Sequence, residues 1–295
     1  MVDQVGPQFA EMLEAMRKLS ESQVRTRLGL ALRDFPDPAF KRRASIIVKG
    51  MDLQSGQRIL DIGCGRGKFE AILSAVLGKV ELVGIDLNVK RLRQAKPLIG
   101  PGMQIICADA TSLPFRDMSF DRVIASEILE HLPDDERSLT EITRVLSDGF
   151  ALISVPHADY PFSWDPVNYV LEKLTGTHVP SRMTFVAGIW ADHRRLYREE
   201  ELLSKVRAHG LNVLGLWRST QVCLPFVSLV LNMAAAFLDR VGSQRLQRLR
   251  RPVGGSGSPF IRRFTRLIDL VDGFNASGSA GPRYVNLIIK ARKTQ

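Results

Sequence analysis

Arg58-Ile59-Leu60-Asp61-Ile62-Gly63-Cys64-Gly65-Arg66-Gly67-Lys68-Phe69 is the stretch that decides how this chain folds. An apolar run from Ile59 to Ile62 ends in a glycine-rich turn, and Phe69 to Leu77 then reads as a helix. A buried parallel strand feeding a tight turn and a helix N-terminus is the anion- and cofactor-binding corner of an α/β sheet. Gly63, Gly65 and Gly67 let a ligand approach the backbone without meeting a Cβ. The spacing limits what the turn can hold. The dinucleotide fingerprint needs a glycine where Lys68 stands, and no Gly-Lys-Ser/Thr closes a phosphate loop. What remains is Asp-x-Gly-x-Gly-x-Gly, with Asp61 ahead of the first glycine.

Working outward, Glu81 to Asp86 is a second apolar strand ending in an acid, 23 positions after Gly63. That is about the distance at which an acid meets ribose hydroxyls in such a sheet. Met103 to Ala108 is a third strand, followed by Asp109-Ala110. Phe120 to Ser126 is a fourth, leading into Glu127-Ile128-Leu129-Glu130-His131-Leu132. A helix ending near Arg144-Val145-Leu146, a turn at Gly149 and a fifth strand from Ala151 to Val155 close this half.

These motifs resemble those of the class I S-adenosylmethionine-dependent methyltransferases, in particular the type 11, UbiE-like small-molecule group. The resemblance is strong over residues 40–157 and moderate over 190–217. It implies a Rossmann-like α/β fold with a seven-stranded sheet whose strand 7 is antiparallel. N-terminal cap helices and a helical insertion between strands 6 and 7 would complete it. It also implies S-adenosyl-L-methionine as cofactor. Asp61, Gly63, Cys64, Gly65 and Gly67 would form the turn at its methionine end. Asp86, with Leu87 beside it, would meet the ribose, and Asp109, with Ala110 beside it, would receive the adenine amino group. Ser126 and Glu127 would border the methionine part.

With 295 residues, 45% of them hydrophobic, the chain can bury one large core and carry an appended region. Cys64, Cys107 and Cys223 have no paired or metal-ligand spacing, so Cys64 and Cys107 read as small core residues, and neither disulfide nor metal is expected. Met1-Val2-Asp3-Gln4 opens no signal peptide, which points to the cytoplasm. The net charge of +10 suits nucleic acid, an anionic membrane face or an anionic substrate.

Three parts are expected: a helical cap over 1–50, a methyltransferase core over 51–218 plus 283–295, and an apolar, basic insertion over 219–282. In the cap, Phe9 to Leu32 reads as one helix, Asp34 to Pro38 as a break, and Phe40 to Lys49 as a second helix with Arg42, Arg43 and Lys49 toward solvent. Beyond Val155, Pro156-His157-Ala158-Asp159-Tyr160 should line the acceptor side. Trp164, Tyr169 and Trp190 then mark an aromatic, lid-like insert holding a short helix from Val167 to Thr175. His193-Arg194-Arg195-Leu196-Tyr197 resembles the family's His-x-Arg-x-Tyr/Phe segment. A helix from Leu202 to His209, a sixth strand from Leu211 to Trp217 and a postponed seventh from Tyr284 to Lys290 follow.

For the chemistry, His157 is the first candidate base and His193 the second. For His131, structural and functional roles stay equally open. The acceptor is expected to be small or lipid-linked, methylated on oxygen or carbon. No base-methylating motif follows strand four, and aromatic positions for stacking are sparse in the basic cluster, so an RNA acceptor is disfavoured. A degenerate fold serving as a scaffold subunit is the weaker alternative, because the acids and glycines are all present.

The insertion opens with Val222 to Leu238, seventeen uncharged residues, and continues through Arg240, Arg245, Arg248, Arg250 and Arg251. As a helix the run would reach only about 25 Å, short of the roughly 30 Å hydrocarbon core. An apolar segment beside an arginine cluster suits docking on an anionic leaflet, here over residues 222–266. Sedimentation with anionic liposomes tests this. High salt should weaken pelleting without abolishing it, and Phe226→Asp with Leu229→Asp should release the protein. A wild type that stays in the supernatant at low salt removes the docking segment.

Overall fold

The structure, a computed structural model, describes residues 20–33, 35, 37–54, 56–77, 81–183, 186–221 and 283–294. The expected helix over 9–19, Cys223, and the apolar and arginine-rich segments of 222–282 lie outside the described residues. Among the described residues, no helix is long and apolar enough to cross a membrane.

Seven strands form one sheet: β1 (Arg58–Ile62), β2 (Glu81–Asp86), β3 (Met103–Cys107), β4 (Phe120–Ser126), β5 (Leu146–Pro156), β6 (Leu211–Ser219) and β7 (Asn286–Lys293). Their order is β3-β2-β1-β4-β5-β7-β6. The first five pair in parallel, whereas β7 runs antiparallel between β5 and β6. This is the Rossmann-like methyltransferase sheet that the motifs imply.

The central strands alternate between two cores. Leu60, Ile62, Val123, Ala125, Ile153 and Leu287 face one. Ile59, Ile124, Leu152 and Ile288 face the other. Both faces are buried, as parallel strands require, which is why these strands read as continuous apolar runs. Helices α5 (Asp135–Val145) and α7 (Glu199–Ala208) contribute to the first face. Helices α1 (Glu21–Leu32), α2 (Pro38–Gly50) and α3 (Lys68–Leu77) cover the second. The described residues also include helices α4 (Val89–Ala95) and α6 (Pro166–Thr175).

Local chemistry sets the helix limits. Ser20 caps α1: its Oγ accepts from Gln23 N–H at 3.2 Å while its own N–H donates to Gln23 Oε1 at 2.9 Å. That capping box starts a helix at Glu21, so the expected single helix from Phe9 is corrected there. Asp37 caps α2 through Phe40 N–H, with Pro38 at the first helical position rather than in the break. Arg122 of β4 ties the end of this cap to the sheet, its Nε donating to Met51 O at 2.6 Å and its Nη2 to Asp52 O at 3.2 Å.

The turn expected at Gly149 is a second correction. β5 runs through it without a break, and the β4–β5 register shifts between Phe120 and Arg122. At this irregularity the backbones come so close that a Cβ on Gly149 would collide with the carbonyl oxygen of Asp121. Glycine marks a close backbone approach inside a strand here, not its end. Gly149→Ala should therefore destabilise the protein by about 1–3 kcal/mol, read as a lower midpoint in urea. An unchanged midpoint would mean that the strand relaxes freely.

Candidate functional site

Two features meet at the carboxyl ends of the neighbouring strands β1 and β4. The first is the glycine turn. Gly63, Gly65 and Gly67 have φ of +77°, +57° and +76°, a region that glycine enters without steric cost. The amides of Gly63 and Cys64 both donate to Ile85 O of β2 at 2.8 Å. Asp86, the last residue of β2, accepts from Gly65 N–H at 3.0 Å and from Asn88 N–H at 2.7 Å. Chain neighbours aside, a Cβ on Gly65 would find nothing nearer than Gly63 O at 3.8 Å and Asp86 Oδ2 at 3.9 Å. A ligand can thus lie against the turn beside a fixed carboxylate. Leu87 is exposed next to it. Asp109, exposed after β3, accepts from Thr111 N–H and Oγ1–H at 2.8 Å, with Ala110 buried beside it. Cys64 is buried as expected, but Cys107 is exposed, a correction: it ends β3 at the rim of the sheet, its Sγ 3.7 Å from Leu87 O.

Beneath the turn, Asp61 is buried inside β1 next to Glu70 of α3. Beyond each other's carboxyl groups, Asp61 Oδ2 and both Glu70 oxygens meet no hydrogen-bond partner. Burial, and after it the charge of Glu70, raises Asp61 well above the usual carboxylate range, while burial pushes Glu70 up to about 7. Two buried acids this close hold a proton near neutral pH. Gly84 leaves the space, since a Cβ there would strike Glu70 Oε1. The sequence reading omits Glu70; its signal is a single acid in the otherwise uncharged run from Phe69 to Leu77.

The second feature is a cavity of roughly 250 Å³ whose lining includes Asp37, Arg43, Glu127, Trp164, His193 and Asn286. Glu127 sits at φ +54°. Its carboxylate accepts from Asn286 Nδ2 at 2.9 Å and Ser154 Oγ at 3.3 Å, and lies 3.4 Å from Arg43 Nη1. Burial raises its pKa against the opposing charge of Arg43. Ser126 Oγ pairs with Ser154 Oγ at 2.9 Å. Arg43 was expected to face solvent; instead its side chain is only 12% exposed, turned inward by Glu127. Helical spacing alone could not reveal that partner, 84 positions away in the chain.

Behind this cavity, Leu129–His131 forms one 3-10 turn. Glu130 is fully buried with neither carboxyl oxygen hydrogen-bonded, and burial, then Glu127, raises its pKa well above the usual value. His193 lines the cavity, and burial, then His131, holds its pKa down at about 4. The two imidazole rings lie 4.8 Å apart. The His-x-Arg-x-Tyr segment is fastened beneath β4: Arg194 N–H donates to Glu130 O at 2.9 Å, Arg194 Nε to His131 O at 3.1 Å, and Arg195 Nη2 to Pro133 O at 3.1 Å. Asp135 anchors its far end, accepting from Tyr197 Oη–H at 2.6 Å and Lys205 Nζ at 2.8 Å and pairing with Arg195.

His157 is placed elsewhere. It is buried, its N–H donates to Val285 O at 2.9 Å, and its ring lies 6.4 Å from that of Tyr284. Its Nδ1 has no partner, burial lowers its pKa, and it is not among the residues lining the cavity. Of the two candidate histidines, the structure brings only His193 to the cavity.

Residues 60–153 match a family profile described as "Methyltransferase domain". Among curated proteins, O-methyltransferase resE of Aspergillus sclerotiorum is 39% identical over 103 residues, covering 33% of this chain and 39% of its own. The 27-O-demethylrifamycin SV methyltransferase of Amycolatopsis mediterranei is 38% identical, with 34% and 38% covered. The phthiotriol/phenolphthiotriol dimycocerosates methyltransferase 1 of Mycobacterium ulcerans is 36% identical, with 34% and 37% covered. The chain thus spans well under half the length of these relatives. Among solved structures, the [4+2]-cyclase SpnF superposes with a TM-score of 0.53 at 19% identity, covering 85% of this chain and 79% of its own. A methyltransferase from Thermotoga maritima gives 0.52 at 16%, covering 92% and 95%. These likenesses bear on the fold, and a cyclase among them shows that the fold alone does not name a reaction.

Burial alone would raise the pKa of Asp135, but hydrogen bonds from Lys205 and Tyr197 and the charge of Arg195 outweigh it and hold it below the usual value. A depressed carboxylate stabilises the fold above its unfolded pKa of about 3.9, and that contribution is lost as pH falls through the lower folded value. Asp135→Asn should cost about 1–3 kcal/mol at pH 7. In thermal melts its deficit against the wild type should persist down to about pH 4 and shrink below it. A deficit independent of pH would assign the loss to packing instead.

Proposed function

We propose that the chain, whose residues 60–153 are a class I S-adenosylmethionine-dependent methyltransferase domain, methylates an oxygen or carbon of a small or lipid-linked acceptor held in the cavity beside Glu127. The observation that carries this reading is the adjacency of two built sites, the open glycine turn with Asp86 and the cavity at Glu127, at the ends of paired strands. Relatives named for a demethylrifamycin and for phthiotriol dimycocerosates support an acceptor of this class. If residues 222–266 dock on an anionic leaflet, an amphiphilic acceptor would be met there.

The residues fit the cofactor. Asp86 would accept from the ribose hydroxyls and Asp109 from the adenine amino group, while the turn from Gly63 to Gly67 would take the methionine end. When bound, S-adenosylmethionine supplies an electrophilic methyl carbon on a positively charged sulfur. The chain's own contribution is mainly orientation, which is worth up to about 7–11 kcal/mol in well-aligned systems. Glu127, fixed by Arg43, Asn286 and Ser154, gives a rigid polar wall, and Trp164 and Ile189 add apolar surface. His193 presents a neutral imidazole to a polar acceptor, but a group held near pKa 4 is a poor proton sink at neutral pH.

Calorimetry should detect cofactor binding by the wild type, weakened by about 10- to 100-fold in Asp86→Ala. Incubation with methyl-³H cofactor and a host extract should label a small-molecule or lipid fraction. On the labelled acceptor, His193→Ala should lose turnover with cofactor affinity unchanged, while His157→Ala keeps it. Folded protein that binds no cofactor would end the enzymatic reading. Activity lost in His157→Ala and kept in His193→Ala would move the acceptor away from this cavity.

A further inference from the structure

Glu130, His131 and His193 converge on one point behind the cavity, which His193 also lines. Their nearest ligand atoms all lie within 4.8 Å of one another. Glu130 Oε1 is 4.0 Å from His131 Nε2 and 3.9 Å from His193 Nε2. A tetrahedral cation with bonds of about 2.0–2.2 Å separates its ligand atoms by about 3.4 Å. Small side-chain adjustments therefore close the set. Neither oxygen of the buried Glu130 carboxyl has a hydrogen-bond partner, and an unmet buried acceptor of this kind calls for a compensating group.

We infer that Glu130, His131 and His193 bind a divalent first-row transition cation whose open position faces the cavity. Three observations support this independently of the unpartnered carboxyl. The first is the orientation of His131. Its Nδ1 lies 3.0 Å from Asp192 O, a group that only accepts, which leaves Nε2 turned toward Glu130. A backbone carbonyl behind a ligating imidazole is the usual support for such a ligand. The second is preorganisation. The backbone bond from Arg194 to Glu130 and the side-chain bonds from Arg194 and Arg195 to His131 and Pro133 hold the two contributing segments together. The third is access. The His131 and His193 side chains are 31% and 15% exposed, whereas Glu130 is fully buried. His193 also lines the cavity.

Two imidazoles and one carboxylate suit zinc, iron or nickel better than magnesium or calcium, which prefer all-oxygen shells. Three protein ligands leave a position for an oxygen of the bound molecule. The inference rests on the cavity being the acceptor site and narrows the acceptor to one offering a hydroxyl, enol or phenol oxygen. Glu127 stays outside the set, since Arg43, Asn286 and Ser154 already take its carboxylate.

The test is metal binding without turnover. Chelator-stripped full-length protein is titrated with Zn²⁺ in competition with a chromophoric chelator, and with Co²⁺ followed by its visible d–d absorption. One equivalent per chain is expected. Glu130→Gln, His131→Ala and His193→Ala should each weaken it by about tenfold or more and change the Co²⁺ spectrum. Cofactor titration of the same variants shows whether they are folded, and it fails separately if the enzymatic reading is wrong. A wild type that binds no Zn²⁺ or Co²⁺ overturns the site. So does equal binding by cofactor-competent variants, which would put the metal elsewhere on the surface.

Discussion

Everything described here depends on β1 and β4 lying side by side although the chain visits β2 and β3 between them. Parallel strands joined by right-handed crossovers put all their carboxyl ends on one edge of the sheet. Where the winding reverses, the connections after β1 and β4 diverge and leave a crevice. The glycine turn fills one side of that crevice and Ser126-Glu127 the other. A ligand there meets backbone amides and carboxylates because strand ends expose both.

The two sides are built differently. The cofactor side is largely local: Asp86 reaches Gly65 and Asn88, and Asp109 reaches Thr111. The cavity side is assembled from parts far apart in sequence, with Arg43 from the cap, Glu127 from the turn after β4, His193 from the segment before α7 and Asn286 from β7. A local site tolerates change elsewhere in the chain. An assembled one shifts whenever any of its sources is repacked, so a common cofactor half can be combined with many acceptor specificities.

That difference also explains what the sequence could reveal. β2 and β4 were legible to the residue because a strand buried on both faces concentrates apolar residues, here Leu82 to Ile85 and Val123 to Ala125. The cofactor acids were legible because they sit at fixed offsets from those runs. Gly149 was misread because a close strand crossing and a turn both demand glycine. Arg43 was misread because its partner comes from another element. Glu130 and His131 lay in plain view after β4, but nothing in their own segment announces that His193 folds back against them. The Asp61–Glu70 pair was half visible, with only the acid nearer the glycines drawing notice. Long-range pairing creates meaning that local patterns do not contain.

The antiparallel β7 carries a kinetic consequence. It pairs Ala151 of β5 with Ala291 and Ser219 of β6 with Asn286, lying between two strands that come much earlier in the chain. Until β7 inserts, β5 and β6 each present an open row of amides and carbonyls, a template for pairing with another chain. Closing so distant a ladder delays the reward for ordering it, and such topologies fold slowly. The separation between β6 and β7 is itself cheap thermodynamically, because loop-closure entropy grows only by about 0.6 kcal/mol for each doubling of length. The hazard of this arrangement is therefore one of time rather than stability: a half-zipped sheet is exposed to self-association, and conditions that speed the arrival of β7 matter more to soluble yield than those that deepen the native well.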